Sequence, residues 1–160
     1  MRKIMIFGNS GSGKSTLAKK LAEAEQLAHL DLDTLAWQPD MPPQRKPVSE
    51  SAEAIEAFIR EHSAWVIEGC YADLLELVLP HSPELVYLNL PIEDCVANAK
   101  ARPWEPHKYP SKEAQDANLD MLIDWIRQYA HRDDCFSQQA HQRLYQQYSG
   151  KKTEYTSNQQ

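Results

Sequence analysis

Short apolar runs alternate with amphipathic stretches along the chain, and the alternation sets out the elements. Lys3 to Phe7 (KIMIF) reads as a buried strand, and Lys14 to about Gln26 as a helix with Leu17 and Leu21 on one face. AHLDLD, from Ala28 to Asp33, reads as a second strand with its acids at the C-terminal end. The stretch from Trp37 to Pro47 carries closely spaced prolines at 42, 43 and 47, which forbid regular structure. Ser49 is a candidate N-cap for a helix ending near His62, with Ile55, Phe58, Ile59 and His62 as its stripe. Trp65 to Gly69 and Leu85 to Leu90 read as strands three and four. Pro91 then opens a helix that sets Ile92, Cys95, Val96 and Ala99 on one face. Residues 101 to 115 are proline-broken. Two helices follow, one striped by Leu119, Leu122, Ile123 and Ile126, the other running from about Ser137 to Tyr148. Gly150 stops that helix, KKTEYTS adds a last short strand, and the tail SNQQ frays.

Strands that alternate with helices predict an α/β fold, a mainly parallel sheet with helices on both faces. In such sheets ligands bind beyond the C-terminal strand ends. Asp31, Asp33 and Glu68 all fall at such ends, and so does the glycine-rich stretch after the first strand.

Composition narrows the picture. The chain has 160 residues, which suits one domain spanning 1–160, and its 42% of hydrophobic residues suffices for a core. The formal charge of −6, with no basic run, argues against nucleic acid as the default partner. No segment has the apolar length of a membrane helix, and the N-terminal apolar stretch is too short for a signal peptide. Cys70, Cys95 and Cys135 are widely spaced, with no CxxC, which fits thiols in a reducing cytoplasm rather than a zinc site.

GNSGSGKST, from Gly8 to Thr16, carries the strongest chemistry. Gly8, Gly13, Lys14 and Ser15 fit G-x-x-x-x-G-K-[ST] in a strand–loop–helix context. Glycines let successive backbone N–H groups turn inward as an anion nest, and the helix start adds its positive end. The loop residues Gly8, Asn9, Ser10, Gly11, Ser12 and Gly13 are therefore expected to cradle a nucleoside triphosphate. Lys14 is expected to reach its β- and γ-phosphates, Ser15 to hold Mg²⁺, and Thr16 to contact the α-phosphate. ATP is taken as the nucleotide because no N-K-x-D guanine motif is present.

Asp31 and Asp33 lie two apart on the expected strand, so both carboxylates would face one side, to hold Mg²⁺ through water or to orient a substrate hydroxyl. Glu68 would be a second acid of the metal shell or a contact to the acceptor, with Gly69 opening the turn. Transfer to something other than water needs charge neutralisation and water exclusion. Arg102 and Arg132 flank the expected cover and are the candidate clamps. Arg45 is placed to pair with an anionic acceptor group, and Trp37 to stack on an acceptor base or ring. Trp65 and Trp125 read as structural and Cys70 as a bystander.

IMIFGNSGSGKSTLAKKLA, LDLDTLAW, WVIEGCY and VYLNLP together resemble the adenylate kinase-like and shikimate kinase-like small P-loop kinases. The likeness runs over roughly residues 2 to 155. It is greatest to bacterial proteins labelled "adenylate kinase and related kinases" or topology modulation proteins. The resemblance implies a three-layer P-loop fold with a five-stranded parallel sheet in the order 2-3-1-4-5. It also implies an acceptor region between strands two and three and a helical lid at approximately 101–135. By the same resemblance Asp31 and Asp33 match a pair serving Mg²⁺ and the acceptor hydroxyl, and Glu68–Gly69 matches an acceptor loop. EGCY departs from the consecutive glycines of shikimate kinases and from the proline–arginine pair of adenylate kinases. Neither shikimate nor AMP therefore carries over as acceptor. The expected activity is γ-phosphoryl transfer from Mg·ATP to a small molecule. Asp31 would sit in the metal's water shell, Asp33 on the acceptor hydroxyl. A nucleoside or nucleotide kinase is one variant. A regulatory ATPase acting through a protein or DNA partner is the alternative.

Overall fold

The computed structural model describes residues 2–37, 44–106 and 108–158. Five parallel strands form one sheet in the order β2-β3-β1-β4-β5, as the resemblance implied. They are β1 (Lys3–Gly8), β2 (Ala28–Asp31), β3 (Trp65–Gly69), β4 (Glu84–Leu88) and β5 (Lys152–Tyr155). β1 is flanked by strands on both edges and covered on both faces, which is why Ile4 to Phe7 form an unbroken buried run.

The strand period divides that run between two cores. Met5 and Phe7 join Trp65, Ile67, Leu85 and Tyr87 on one face; α2 (Asp33–Ala36), α3 (Val48–Glu61), α4 (Ala72–Val78) and α8 (Gln138–Gln147) contribute buried residues there. Ile4 and Ile6 join Val66, Val86 and Leu88 on the other, under α1 (Lys14–Glu25), α5 (Ile92–Ala101) and α7 (Leu119–Arg127). A shorter helix, α6 (Lys112–Ala117), precedes α7, and its N-cap Ser111 accepts from the Ala114 amide at 3.1 Å. Ser137 caps α8 in the same way, at 3.0 Å from the Ala140 amide, at the start the pattern predicted. No helix of the described residues is long and apolar enough to cross a membrane.

Four local expectations change. β2 stops at Asp31, because Leu32 turns helical (φ −63°, ψ −21°) and buries its side chain, so Asp33 opens α2 instead of continuing the strand. Ser49 is not the cap of α3; the cap position falls two residues earlier, at Pro47, whose carbonyl accepts the Glu50 amide at 3.0 Å. α4 had no expected counterpart. Its seven residues bury Ala72, Leu74, Leu75 and Val78, too short a span for a clear period. α7 is less a cover than a core element, since Ile126 is wholly buried beside Ile4, Ile6 and Cys95. Of the proline-rich stretch, residues 38–43 lie outside the described residues. Its ends are joined by an isolated antiparallel bridge between Trp37 and Arg45. Residues 159–160 of the expected frayed tail also lie outside them.

Candidate functional site

The loop after β1 is shaped by close approach as much as by flexibility. A Cβ on Gly8 would lie 2.4 Å from the carbonyl oxygen of Leu88, its register partner on β4. A Cβ on Gly11 would lie 2.4 Å from the Cys95 carbonyl oxygen, and Gly11 also sits at φ +78°. Gly13 (φ +91°) has open space around it and needs glycine for its backbone alone. The outer side of the loop is tied down: Asn98 donates to the Gly11 carbonyl at 2.8 Å, and Asn9 donates to the Ile126 carbonyl at 3.2 Å. Asn9 thus turns its side chain into the protein. Ser12 is buried as well. α1 begins at Lys14 with no side-chain cap, leaving its first amides to an incoming anion. Lys14 donates to the Asn9 carbonyl at 2.9 Å, folded over the loop it would serve.

The acids come from the two neighbouring strands. Asp31 and Glu68 are register partners across β2 and β3. Glu68 is buried, and both of its oxygens are engaged: one accepts from the Ser15 hydroxyl at 3.1 Å, the other meets His29 Nε2 at 2.8 Å. Gly69 keeps the turn tight, since a Cβ there would come within 2.9 Å of the Leu32 side chain. Asp31 and Asp33 do converge, though not by sharing a strand face. Asp31 accepts the Asp33 amide at 2.9 Å, a turn that folds Asp33 back toward it. Between them stands Lys108, its ammonium 3.1 Å from Asp33 Oδ2 and 3.6 Å from Asp31 Oδ2, with Glu105 at 3.8 Å. The other Asp33 oxygen accepts from the Tyr71 hydroxyl, which itself accepts from the Trp37 indole at 2.7 Å.

This arrangement divides the two aspartates. Burial, then the charges of Glu68 and Asp33, push the Asp31 carboxyl up, against Lys108. Burial also pushes on Asp33, but Lys108 and the Tyr71 hydroxyl outweigh it and hold that carboxyl below its ordinary value. Lys108 is pushed up in turn: its burial opposes this, and the charges of Asp33, Asp31 and Glu105 prevail. Burial raises the Cys70 thiol to about 12, consistent with a bystander rather than a nucleophile.

Lys14, Ser15, Asp33, Glu68, Arg102 and Lys108 line one cavity of about 330 Å³. Ser10, Gly11, Gly13 and Thr16 complete its phosphate side. The covering segment facing it is 102–106 with Lys108 and Tyr109. Arg102 is on the wall and bonds Glu105 at 3.3 Å. Arg132 is elsewhere. Its guanidinium lies 3.6 Å over the Trp125 ring and bonds Asp134 at 3.0 Å, so tertiary packing engages it away from the cavity wall. Arg45 bonds Asp73 at 3.3 Å and lies 4.9 Å over the Tyr71 ring. It and Trp37 therefore reach Asp33 only through Tyr71. Sequence reasoning missed Tyr71, Lys108, His29 and Glu105. A search of the proline-broken stretch for any cation, rather than for arginine, would have found Lys108.

Among the described residues no cluster of three or more His, Cys, Asp or Glu side chains forms a metal cage. The hydroxyl of Ser15 bonded to Glu68, with Asp31 beside it, is instead a sparse, all-oxygen donor set. It fits Mg²⁺, which keeps several of its waters.

The sequence profile of a family described as an AAA domain matches residues 4–118. Among solved structures, an unliganded sugar kinase from Janibacter sp. HTCC2649 superposes with a TM-score of 0.51 at 15% identity, over 91% of this chain and 93% of that one. At that identity the likeness speaks for the fold. No curated protein matches the chain.

Proposed function

The chain belongs to the AAA domain family, a P-loop, kinase-like group, and on that premise we propose that it moves the γ-phosphoryl group of Mg·ATP to a hydroxyl of a small acceptor. One observation carries the reading. The phosphate loop and the carboxylates of Asp33 and Glu68 line one cavity, so a nucleotide's terminal phosphate would face an acid able to orient an acceptor.

In this mechanism the amides of Gly11 to Ser15 cradle the β-phosphate, and Lys14 exchanges the Asn9 carbonyl for the β- and γ-oxygens. Ser15 and Glu68 would hold Mg²⁺, with Asp31 reaching it through water; the ion would supply neutralisation of the phosphate charge. Asp33 accepts the acceptor hydroxyl's hydrogen bond. As the acceptor oxygen bonds to the γ-phosphorus, the bond to the ADP oxygen breaks and the hydroxyl proton passes to Asp33. Arg102, on the cavity wall, neutralises the moving charge. Gly69 lines the acceptor side, and Trp37 and Arg45 support it from behind through Tyr71. Arg132, packed on Trp125, supports the cover from outside.

The test is ADP release from Mg·ATP, with and without pooled nucleoside monophosphates or pooled hydroxylated metabolites, with Lys14→Ala as the blank. One pool is expected to stimulate release many-fold. Lys14-dependent ATP binding that no pool turns into ADP release would overturn transfer in favour of a regulatory nucleotide switch.

A further inference from the structure

Lys108 is a cavity-lining cation that the phosphate-loop motif does not assign, and among the lining cations it is the one bonded to Asp33, so its surroundings say what it does. An ammonium has three N–H donors, and here it faces three carboxylates, those of Asp33, Asp31 and Glu105, at 3.1, 3.6 and 3.8 Å. It thereby ties the covering segment to the end of β2 across the cavity. Other bonds of that segment run within it or to the neighbouring α6: the Trp104 indole to the Tyr109 carbonyl at 3.1 Å, the Tyr109 amide to the Glu105 carbonyl at 3.0 Å, the Glu105 amide to Gln115 at 2.8 Å, and Asn118 to the Tyr109 hydroxyl at 2.9 Å.

Both side-chain oxygens of Asp33 already have a partner in this state. Tyr71 holds one and Lys108 the other. An acceptor hydroxyl that donates to Asp33 takes a remaining lone pair of that carboxylate in competition with these two partners. Tyr71 is only 2% exposed and is held a second time by Trp37, whereas Lys108 stands on the cover. Of the two partners, Lys108 is therefore the one free to move. Once displaced, its charge remains in the cavity it shares with Lys14, where the terminal phosphate arrives.

We propose that Lys108 is an exchangeable counter-ion: in the empty protein it latches the cover onto Asp31 and Asp33, and in the loaded protein its ammonium moves to the γ-phosphoryl group, freeing Asp33 for the acceptor. The assignment rests on the phosphotransfer reading above. It makes Lys108 a catalytic residue and gives the cover two alternative anionic partners, carboxylate or phosphate, of which only one is held at a time. Two carboxylates close together repel, so the empty site favours keeping the ammonium until the triphosphate offers more charge.

Binding of the non-hydrolysable Mg·AMPPNP and of Mg·ADP separates this from a merely structural role, because only the first carries a γ-phosphoryl group. Calorimetric affinities are compared for the wild type, Lys108→Ala and Lys108→Arg. Lys108→Ala is expected to weaken AMPPNP by about tenfold relative to ADP, the size of a lost charge-assisted contact, and Lys108→Arg to recover most of that. In the nucleotide-free protein, amide exchange across 102–111 is expected to speed up in Lys108→Ala and to stay near wild type in Lys108→Arg. An AMPPNP-to-ADP affinity ratio unchanged by Lys108→Ala would overturn the phosphate contact. Unchanged exchange of 102–111 would overturn the latch. A wild-type protein that binds neither nucleotide through Lys14 would instead sink the phosphotransfer reading itself.

Discussion

Replacing His141 by glutamine removes a titrating group from the middle of a buried hydrogen-bond chain. Its Nε2–H donates to the Cys70 carbonyl at 2.8 Å, in the turn that follows Glu68 and Gly69. Nδ1 is therefore the acceptor, taking the Tyr129 hydroxyl at 2.7 Å, which in turn accepts the Tyr87 hydroxyl at 3.0 Å. His141 is wholly buried, and burial lowers its pKa from 6.5 to about 4, with Lys14 adding to the effect against the Cys70 bond. The sign follows. Between these values the unfolded chain binds a proton that the folded one refuses. The contribution is whole above the unfolded value and is lost as pH falls toward the folded one. At about 1.4 kcal/mol per pH unit, the loss from pH 6.5 to pH 4 comes to about 3 kcal/mol. Glutamine keeps a donor for Cys70 but orphans the Tyr129 hydroxyl, at about 1–2 kcal/mol near pH 7. Urea melts in steps from about pH 7 to about pH 4.5 check this. The wild type should lose stability on acidification by most of those 3 kcal/mol more than His141→Gln. Asp31, Asp33 and the surface acids are shared and cancel in the difference. Parallel curves for the two proteins would refute the buried neutral histidine and the proton order of the chain.

Gly11 and Gly13, two of the loop glycines with positive φ, should separate in a denaturant melt. Gly13→Ala meets only its unfavourable backbone, at about 1–2 kcal/mol, whereas Gly11→Ala also drives a methyl into the Cys95 carbonyl and should cost clearly more; equal losses would contradict the packing of α5 on the loop. Tyr71→Phe removes the donor to Asp33 and the acceptor of the Trp37 indole, so stability near pH 7 should fall by about 1.5–3 kcal/mol, with a change in Trp37 fluorescence. Glu68→Gln keeps a partner for Ser15 but removes the charge, so Mg²⁺ should no longer strengthen nucleotide binding in a calorimetric titration, while binding in excess chelator is unaltered.

The division between what was legible in the chain and what was not follows the range of the interactions involved. The strands through Ile4, Val66 and Val86, and the stripes of α3, α5 and α7, repeat apolar positions over a few residues, and burial on either face of a sheet reads that repeat directly. The phosphate loop is local in the same sense: its glycine conformations, its lysine and the start of α1 lie within nine consecutive residues, Gly8 to Thr16. Sequence by itself therefore determined the fold class and the conformation of the loop. It did not determine how the rest of the site is assembled. Ser15 meets Glu68 across 53 residues and Lys108 meets Asp33 across 75, through segments whose path depends on prolines and turns rather than on period. One helical residue, Leu32, decided that Asp33 faces Tyr71 and Lys108 instead of extending a strand. Packing alone stacked Arg132 on Trp125 and left Arg102 and Lys108 on the cavity wall. A periodic pattern records which side of an element is buried. Which charge neutralises which is fixed only when distant segments are brought together, because Coulomb energies depend on separation in space and not along the chain.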